Sequence, residues 1–193
     1  MSIKESIVAR ASRCIDEVYP SPNDINAPFL PIAQFVGEAA DWVVRIVPVR
    51  ALGKGTTSTV SVSEGVADMP ESFCRFISFT CEGWHRPVIV PIYDTDAVYL
   101  QQANPYTRGT AHRPVVAICK GETKIELYPA TDTSATMLYF KFDPKTDSDW
   151  ENIPEILVPV IAWKTAEVVF TSISSIASAQ ACQAKVNELI QAL

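Results

Sequence analysis

The feature that most constrains this fold is a strand-like stretch from Val66 to Phe142 that lies between two segments with helical periodicity. Its apolar runs are rich in β-branched and aromatic residues and are bounded by turn-forming residues, as is typical of strands. We expect five strands, at Phe73–Thr80, Pro87–Ile92, Pro114–Cys119, Thr123–Pro129 and Thr136–Phe142. Tight turns are expected at Glu82-Gly83 and Gly121-Glu122. These features predict an antiparallel, sandwich-like β region.

Two helices are predicted before the β region. Apolar residues recur at helical spacing from Ile3 to Val18, and Ser2 with Glu5 three residues later forms a capping-box pattern. A second apolar face runs from Pro31 to Ile46, with Pro31 suited to the first helical position. The proline-rich connection at Tyr19–Asp24 ends the first helix. Residues 1–50 are therefore predicted to form a helical hairpin.

The C-terminal part is predicted to be helical. Pro154 suits a helix start, and Pro159 predicts a kink or break. From Val160 to Leu193 the pattern predicts one long helix, of which residues 171–181 carry no charge and mostly small side chains. A helix without a charged face is expected to pack against other helices on several sides. Some of these neighbours can belong to other subunits.

The sequence thus predicts an α+β fold in a single domain, residues 1–193. It comprises the helical hairpin at 1–50, the β region at 59–142 and the C-terminal helical part at 152–193. Ala51–Ser63, which contains Gly53-Lys54-Gly55, is predicted to be a flexible loop. This loop lacks the glycine spacing of a phosphate-binding loop, so we assign it no chemistry.

Charge and cysteine content bear on the class of protein. The net charge is −6, and the basic residues are scattered, which argues against a dedicated nucleic-acid binder. The apolar run from Ile156 to Phe170 is interrupted by charged residues and a proline, so no membrane span is expected. The N-terminus lacks the pattern of a signal peptide, and the five cysteines are widely spread. We therefore expect synthesis in a reducing cytoplasm, with the thiols free.

The candidate catalytic and metal-binding residues lack the partners that their chemistry requires. Cys81 and His85 suggest a thiol nucleophile with a base, but such a pair needs a third orienting group. We interpret Cys81 as a strand-end cysteine and His85 as a surface histidine. The chain has two histidines and no Cys-x-x-Cys pair, and the acidic residues 143–151 lack the glycine of a calcium loop. The prediction is no catalytic residue, no metal and no cofactor.

A family resemblance enters at Met69-Pro70-Glu71-Ser72-Phe73-Cys74-Arg75. This apolar-Pro-x-x-Phe-x-Arg motif resembles the entry into the β part of tailed-phage head-to-tail adaptor (connector) proteins, including those of short-tailed and crAss-like phages. The order of helical pair, strand region and long C-terminal helical part is also similar.

The resemblance implies a structural virion protein of the neck. It implies a dodecameric ring that docks on the portal protein and contacts tail or further ring proteins. Double-stranded DNA would pass through the ring without specific binding, and a negative net charge suits such a conduit.

The C-terminal helix also carries a candidate interface. Val186, Leu189, Ile190 and Leu193 lie at helical spacing up to the last residue, where a polar, frayed terminus is usual. They are expected to pack on the subunit's own core, on a neighbouring subunit or on the portal. Trp42 is interpreted as an edge-of-core residue or as an oligomer contact.

Two other classes of function remain as alternatives. One is a cytoplasmic ligand- or protein-binding module with a site near Tyr99–Arg113, and the other is a small hydrolase that uses Cys81 or His85.

Overall fold

The computed structural model describes residues 2–18, 32–121, 123–131 and 133–193. The chain divides into two compact units. The helical unit comprises Met1–Lys54 and Phe142–Leu193, and the β unit comprises Gly55–Lys141. The predicted loop at Tyr19–Asp24, Pro31 as a first helical residue, and Glu122 in a turn lie outside the described residues.

The described helices and strands follow the predicted order of helices, strands and helices. The helices are α1 (Ile3–Val18), α2 (Ile32–Ile46), α3 (Ala97–Leu100), α4 (Val158–Ser172) and α5 (Ile176–Gln191). The strands are β1 (Thr56–Ser61), β2 (Val66–Asp68), β3 (Phe73–Cys81), β4 (Ile92–Tyr93), β5 (Val115–Cys119), β6 (Lys124–Tyr128) and β7 (Ser134–Lys141). Short 3-10 turns occur at Val49–Leu52, Gln101–Ala103, Asp147–Asn152 and Glu155–Leu157. The α+β fold class is confirmed.

Helix α1 begins with the predicted capping box. The Ser2 amide donates to Glu5 Oε2 at 2.7 Å, and the Glu5 amide donates to Ser2 Oγ at 3.2 Å. Two amides at the helix start are thereby satisfied, as the sequence pattern requires.

Replacing Ser2 with alanine should lower the free energy of unfolding of the helical unit by about 1 kcal/mol, because the Glu5 amide loses its acceptor. Thermal denaturation followed by circular dichroism measures the change. Ser12→Ala is a matched control, since Ser12 is exposed inside the same helix and should leave the melting temperature unchanged or slightly raised. Equal melting curves for S2A and S12A would show that the capping box does not stabilise the unit.

Helix α4 is the centre of the helical unit. It contacts α1, α2 and α5, and its buried side chains occupy more than one face. A helix packed on several sides is expected to be apolar nearly all round. The uncharged residues 171–181, for which the sequence predicts such packing, span the end of α4 and the start of α5, and none of them is buried in the isolated chain.

The prediction of one unbroken helix from Val160 to Leu193 is wrong. Helix α4 ends at Ser172, and Ser174 adopts φ 60°, in the left-handed region. The Ser175 amide donates to the Phe170 carbonyl at 2.9 Å, which is the bonding pattern of a helix C-cap usually built on glycine. Pro159 lies in the first turn of α4, where a proline needs no hydrogen-bond partner, so the expected kink does not occur.

The β unit consists of two packed sheets, which agrees with the sandwich-like prediction. One sheet has the order β1-β7-β3 and the other β2-β6-β5-β4. The pairings are antiparallel except β4 with β5, which is parallel. The core contains side chains from both sheets, including Phe79, Met137, Ile118 and Ile125.

Two predictions about the β unit are wrong. The loop expected at Ala51–Ser63 contains a 3-10 turn and strand β1, because the alternating Thr, Ser and Val residues pair with β7. The strand expected at Pro87–Ile92 is reduced to β4 and to a single bridge in which Val88 pairs with Phe79. Prolines at both ends of this run remove the donors that a longer ladder requires.

Candidate assembly surfaces

Cys81 and His85 make unrelated contacts. Cys81, the last residue of β3, is buried, with its Sγ 3.3 Å from Thr133 Oγ1 and 3.7 Å from Thr131 Oγ1. The exposed His85 ring stacks on the His112 ring with 4.0 Å between centroids. Threonine hydroxyls cannot act as the base that a thiol nucleophile needs. The interpretation as a strand-end cysteine and a surface histidine is confirmed.

The five cysteines are free and buried, as expected. Burial raises the pKa of the Cys14 thiol to about 11 and that of Cys182 to about 12, and it also raises the pKa of Cys119. The nucleophilic thiolate is therefore scarce at neutral pH in these three residues.

Native protein at pH 8 should react with a thiol reagent at least about tenfold more slowly than the unfolded chain, because the thiols are buried and poorly ionised. Each raised pKa also predicts a loss of stability in alkali. For Cys14 the contribution is present below its ordinary pKa of 9.0 and is lost as the pH rises through about 11. Absorbance assays with and without urea measure the reactivity. A thiol that reacts at the unfolded rate in the native protein would contradict this account.

The excursion between β3 and β5, residues 82–114, is held on the β unit by side-chain hydrogen bonds. Asp94 Oδ2 accepts from the Lys120 amide at 2.9 Å, and Asp96 Oδ2 accepts from the Tyr93 amide at 2.7 Å. The buried Gln102 accepts from the Gly109 amide at 2.9 Å and fixes the loop after α3. The excursion is therefore a structured surface of the β unit.

Two tyrosines meet one carboxylate beneath this excursion. The hydroxyls of Tyr99 and Tyr128 donate to Glu126 Oε2 at 2.8 and 2.9 Å. The hydrogen bond to Glu126 is the main cause of the raised pKa of Tyr99. For Tyr128 the main cause is burial and the second is the hydrogen bond to Glu126, and together they raise its pKa to about 12. Tyr99 thus attaches α3 to strand β6 and is engaged in a structural contact.

The excursion exposes large apolar side chains. Ile89 is 69% exposed, Val90 74%, Leu100 75% and Tyr106 96%. Single exposed apolar residues need no explanation, and of these four it is Ile89 and Val90 that are neighbours and line a common hollow.

The four predicted C-terminal interface residues differ in burial. Val186 is fully buried, whereas Leu189, Ile190 and Leu193 are each partly exposed. The Arg50 side chain donates from Nε to the Leu193 backbone oxygen at 3.0 Å. The helical unit therefore holds this end of the chain on one side and leaves three apolar side chains partly open to solvent.

Trp42 covers an ion pair of α4. Lys164 Nζ lies 3.9 Å from the centre of the Trp42 ring and 2.7 Å from Glu167 Oε1. Both charged side chains are nearly buried, and Trp42 is 36% exposed. This placement agrees with an edge-of-core position.

The model of the family described as SU10 adaptor protein matches residues 1–193. The chain belongs to this adaptor family. A comparison with curated proteins finds no match.

Membership in the SU10 adaptor protein family confirms the resemblance to phage head-to-tail adaptors. It implies a non-catalytic structural protein of the virion neck that oligomerises and associates with portal and tail proteins. The exposed apolar side chains of the adaptor are therefore the candidate contacts with these proteins.

The described part of the adaptor contains no cluster of three or more potential metal ligands. Among its described helices none combines the length and apolarity needed to cross a bilayer.

Sequence reasoning missed one of the adaptor's exposed surfaces. Ile89 and Val90 were assigned to a strand, although the flanking Pro87 and Pro91 were a usable signal against strand pairing.

Proposed function

We propose that this adaptor forms a ring, of twelve copies by analogy with the family it resembles. The ring docks on the portal, joins the capsid to the tail and forms part of the conduit for double-stranded DNA. The observation that carries the proposal is the family match over the whole chain.

The exposed apolar side chains support assembly. Ile89, Val90 and Leu100 are each more than two-thirds exposed in the isolated chain, which leaves apolar area for a neighbouring molecule to cover. In a cyclic ring every copy presents the same surfaces, so a contact of moderate strength is repeated at each interface.

The charge supports a conduit that does not hold DNA. The adaptor carries 22 acidic and 16 basic residues, which gives the net charge of −6. Each phosphate neutralised by a protein adds salt-dependent affinity, and a conduit must avoid such affinity. Double-stranded DNA is therefore a passing cargo that the adaptor does not bind specifically.

We propose Val186, Leu189, Ile190 and Leu193 as the portal or subunit interface. The partner covers the three partly exposed side chains. Val186, buried in the helical unit, supports the helix from beneath. The fixed position of Leu193 beside Arg50 lowers the entropy cost of ordering this segment on binding.

Light scattering after size exclusion tests ring formation, on the adaptor alone and with purified portal. Twelve copies of the 21.2 kDa chain give a particle of about 254 kDa. A stable mass of one or two copies under both conditions would contradict the ring and would favour a binding module. Retention of double-stranded DNA by the ring at physiological salt would contradict the conduit role.

A further inference from the structure

The two lateral sides of the β unit are chemically unlike. Strands β2 and β4 form opposite edges of one sheet, and β1 and β3 form opposite edges of the other. Strand β1 contacts β2, so these two edges share one side. On the other side, residues 82–91 lead from β3 to β4, and Val88 bridges Phe79 on the way. Each side is therefore a continuous surface built from both sheets.

The side at β3 and β4 is basic and apolar. Its exposed residues include His85, Arg86, Ile89, Val90, His112 and Arg113. The His85–His112 stack, and a bond from the His85 amide to the Ala111 carbonyl at 3.0 Å, join the two segments that carry these residues. An open hollow of about 390 Å³ lies between them, lined by Arg86, Pro87, Val88, Ile89, Val90 and Pro114. We call the exposed residues His85, Arg86, Ile89, Val90, His112 and Arg113 the basic side.

The segment 82–91, which carries part of the basic side, has one carboxylate, the exposed Glu82 at its start. Residues 83–93 and 105–119 contain no Asp or Glu. Within the described residues, Arg86 and Arg113 form no ion pair. The neighbouring Asp94 and Asp96 accept backbone hydrogen bonds from Lys120 and Tyr93. Two guanidinium groups are thus left to a partner of opposite charge.

The side at β1 and β2 is acidic. Residues 56–68 contain Glu64 and Asp68 and no basic residue, and both carboxylates are exposed. Asp68 pairs with Lys124 at 3.6 Å on the surface. We call Glu64, Asp68 and strand β1 the acidic side.

Strand β1 also offers unpaired backbone groups. It has six residues, Thr56–Ser61, without proline or charge, and it pairs with β7 in an unbroken register. Strand β3 is protected from pairing with another chain by its irregular register and by the Val88 bridge. Strands β2 and β4 are protected by their shortness, since they have three and two residues. Natural proteins usually shield such edges. Among the described strands, β1 is the edge that lacks a protective device.

We propose that the basic side of one copy docks on the acidic side of the next copy around the ring. This inference rests on the proposed function and names its subunit contact. Arg86 and Arg113 face the carboxylates of Glu64 and Asp68, while Ile89 and Val90 cover the edge formed by β1.

The occupant is a second copy of this chain because the two sides complement each other in charge. A contact between two different surfaces of the same chain is heterologous, and repeating it closes a ring when the rotation between neighbouring copies divides a full turn. The surfaces lie on opposite edges of one compact unit, so a single copy can use both of them at once.

Charge reversal tests the contact in the full chain. Arg86→Glu with Arg113→Glu reverses the basic side, and Glu64→Lys with Asp68→Lys reverses the acidic side. Each double variant should raise the concentration for half-assembly at least about tenfold, because like charges then face each other. An equal mixture of the two variants, and the chain that carries all four changes, should regain rings.

Controls with the same change in net charge are available on the helical unit. Arg13→Glu with Lys145→Glu matches the first variant, and Asp16→Lys with Glu38→Lys matches the second, all at exposed positions. Both controls should assemble like the parent chain. Circular dichroism melts confirm that each variant is folded, and a reversal variant that unfolds is replaced by its neutral version with Gln.

The outcomes separate the inference from the proposed function. If both reversal variants form rings as stable as those of the parent chain, the proposed contact is wrong and the proposed ring stands. Failure of the mixture and of the four-change chain to recover would also overturn it. A parent chain that forms no ring, alone or with portal, would overturn both.

Discussion

Replacing Phe79 with alanine is expected to lower the free energy of unfolding of the β unit by about 3–5 kcal/mol. Phe79 is fully buried in the core between the two sheets, and its ring lies 5.9 Å from that of Trp84. Removing the ring leaves a cavity that side chains from both sheets cannot fill. Urea denaturation followed by the fluorescence of Trp84, the one tryptophan within residues 55–141, measures the loss.

Tyr106→Ala is the matched control for this prediction. It also removes an aromatic ring from the β unit, but from a side chain that is 96% exposed. Its free energy of unfolding should stay within about 0.5 kcal/mol of the parent value. If F79A were as stable as Y106A, the two sheets would not share the core described above.

Deleting Asn187 to Leu193 is expected to abolish portal binding while leaving a folded subunit. Leu189, Ile190 and Leu193 are already mostly buried in the subunit, so covering the rest contributes roughly 1–3 kcal/mol per subunit. Because the loss is repeated at each copy of a ring, it should weaken binding of the ring by more than about 100-fold. Co-sedimentation with purified portal measures the binding, and a circular dichroism melt reports on the fold. If the truncated chain unfolds, the segment belongs to the subunit's own core and the docking role fails.

Point variants separate docking from folding in this helix. Leu189→Ser with Ile190→Ser keeps the Arg50 contact to Leu193 and should lose portal binding with little change in melting temperature. Val186→Ala should destabilise the helical unit by about 2 kcal/mol, because the side chain is fully buried. Normal portal binding by the folded serine variant would contradict the interface.

Elements specified by local signals could be predicted from the sequence. Helix α1 begins and ends where its apolar periodicity and the Ser2–Glu5 pattern place it. Strands β3, β5, β6 and β7 lie in the predicted runs, because β-branched and aromatic residues favour a half-buried strand.

Elements that depend on distant partners could not be predicted. Strand β1 exists because β7 pairs with it, and a Ser/Thr-rich run carries little local signal. The break after α4 uses Ser174 in a left-handed conformation that usually requires glycine, so no local residue signal predicts it. Near that end, Thr171 and Ser172 donate to the carbonyls of Glu167 and Val169, which competes with the continuing helix.

The candidate surfaces were only partly accessible to sequence reasoning. Helical spacing predicted Leu189, Ile190 and Leu193 as one face, but only the structure shows that Val186 on the same face is buried. The basic side unites residues about 25 positions apart, His85 with His112, and depends on sheet topology that sequence periodicity does not reveal.

We have proposed that this chain forms the ring between portal and tail. Electron microscopy of purified portal mixed with the adaptor, followed by averaging without imposed symmetry, can show such a ring. We expect a closed ring of twelve copies attached to one end of the portal, with an open central channel. Portal particles that carry no added ring at saturating adaptor concentration would show that the proposal is wrong.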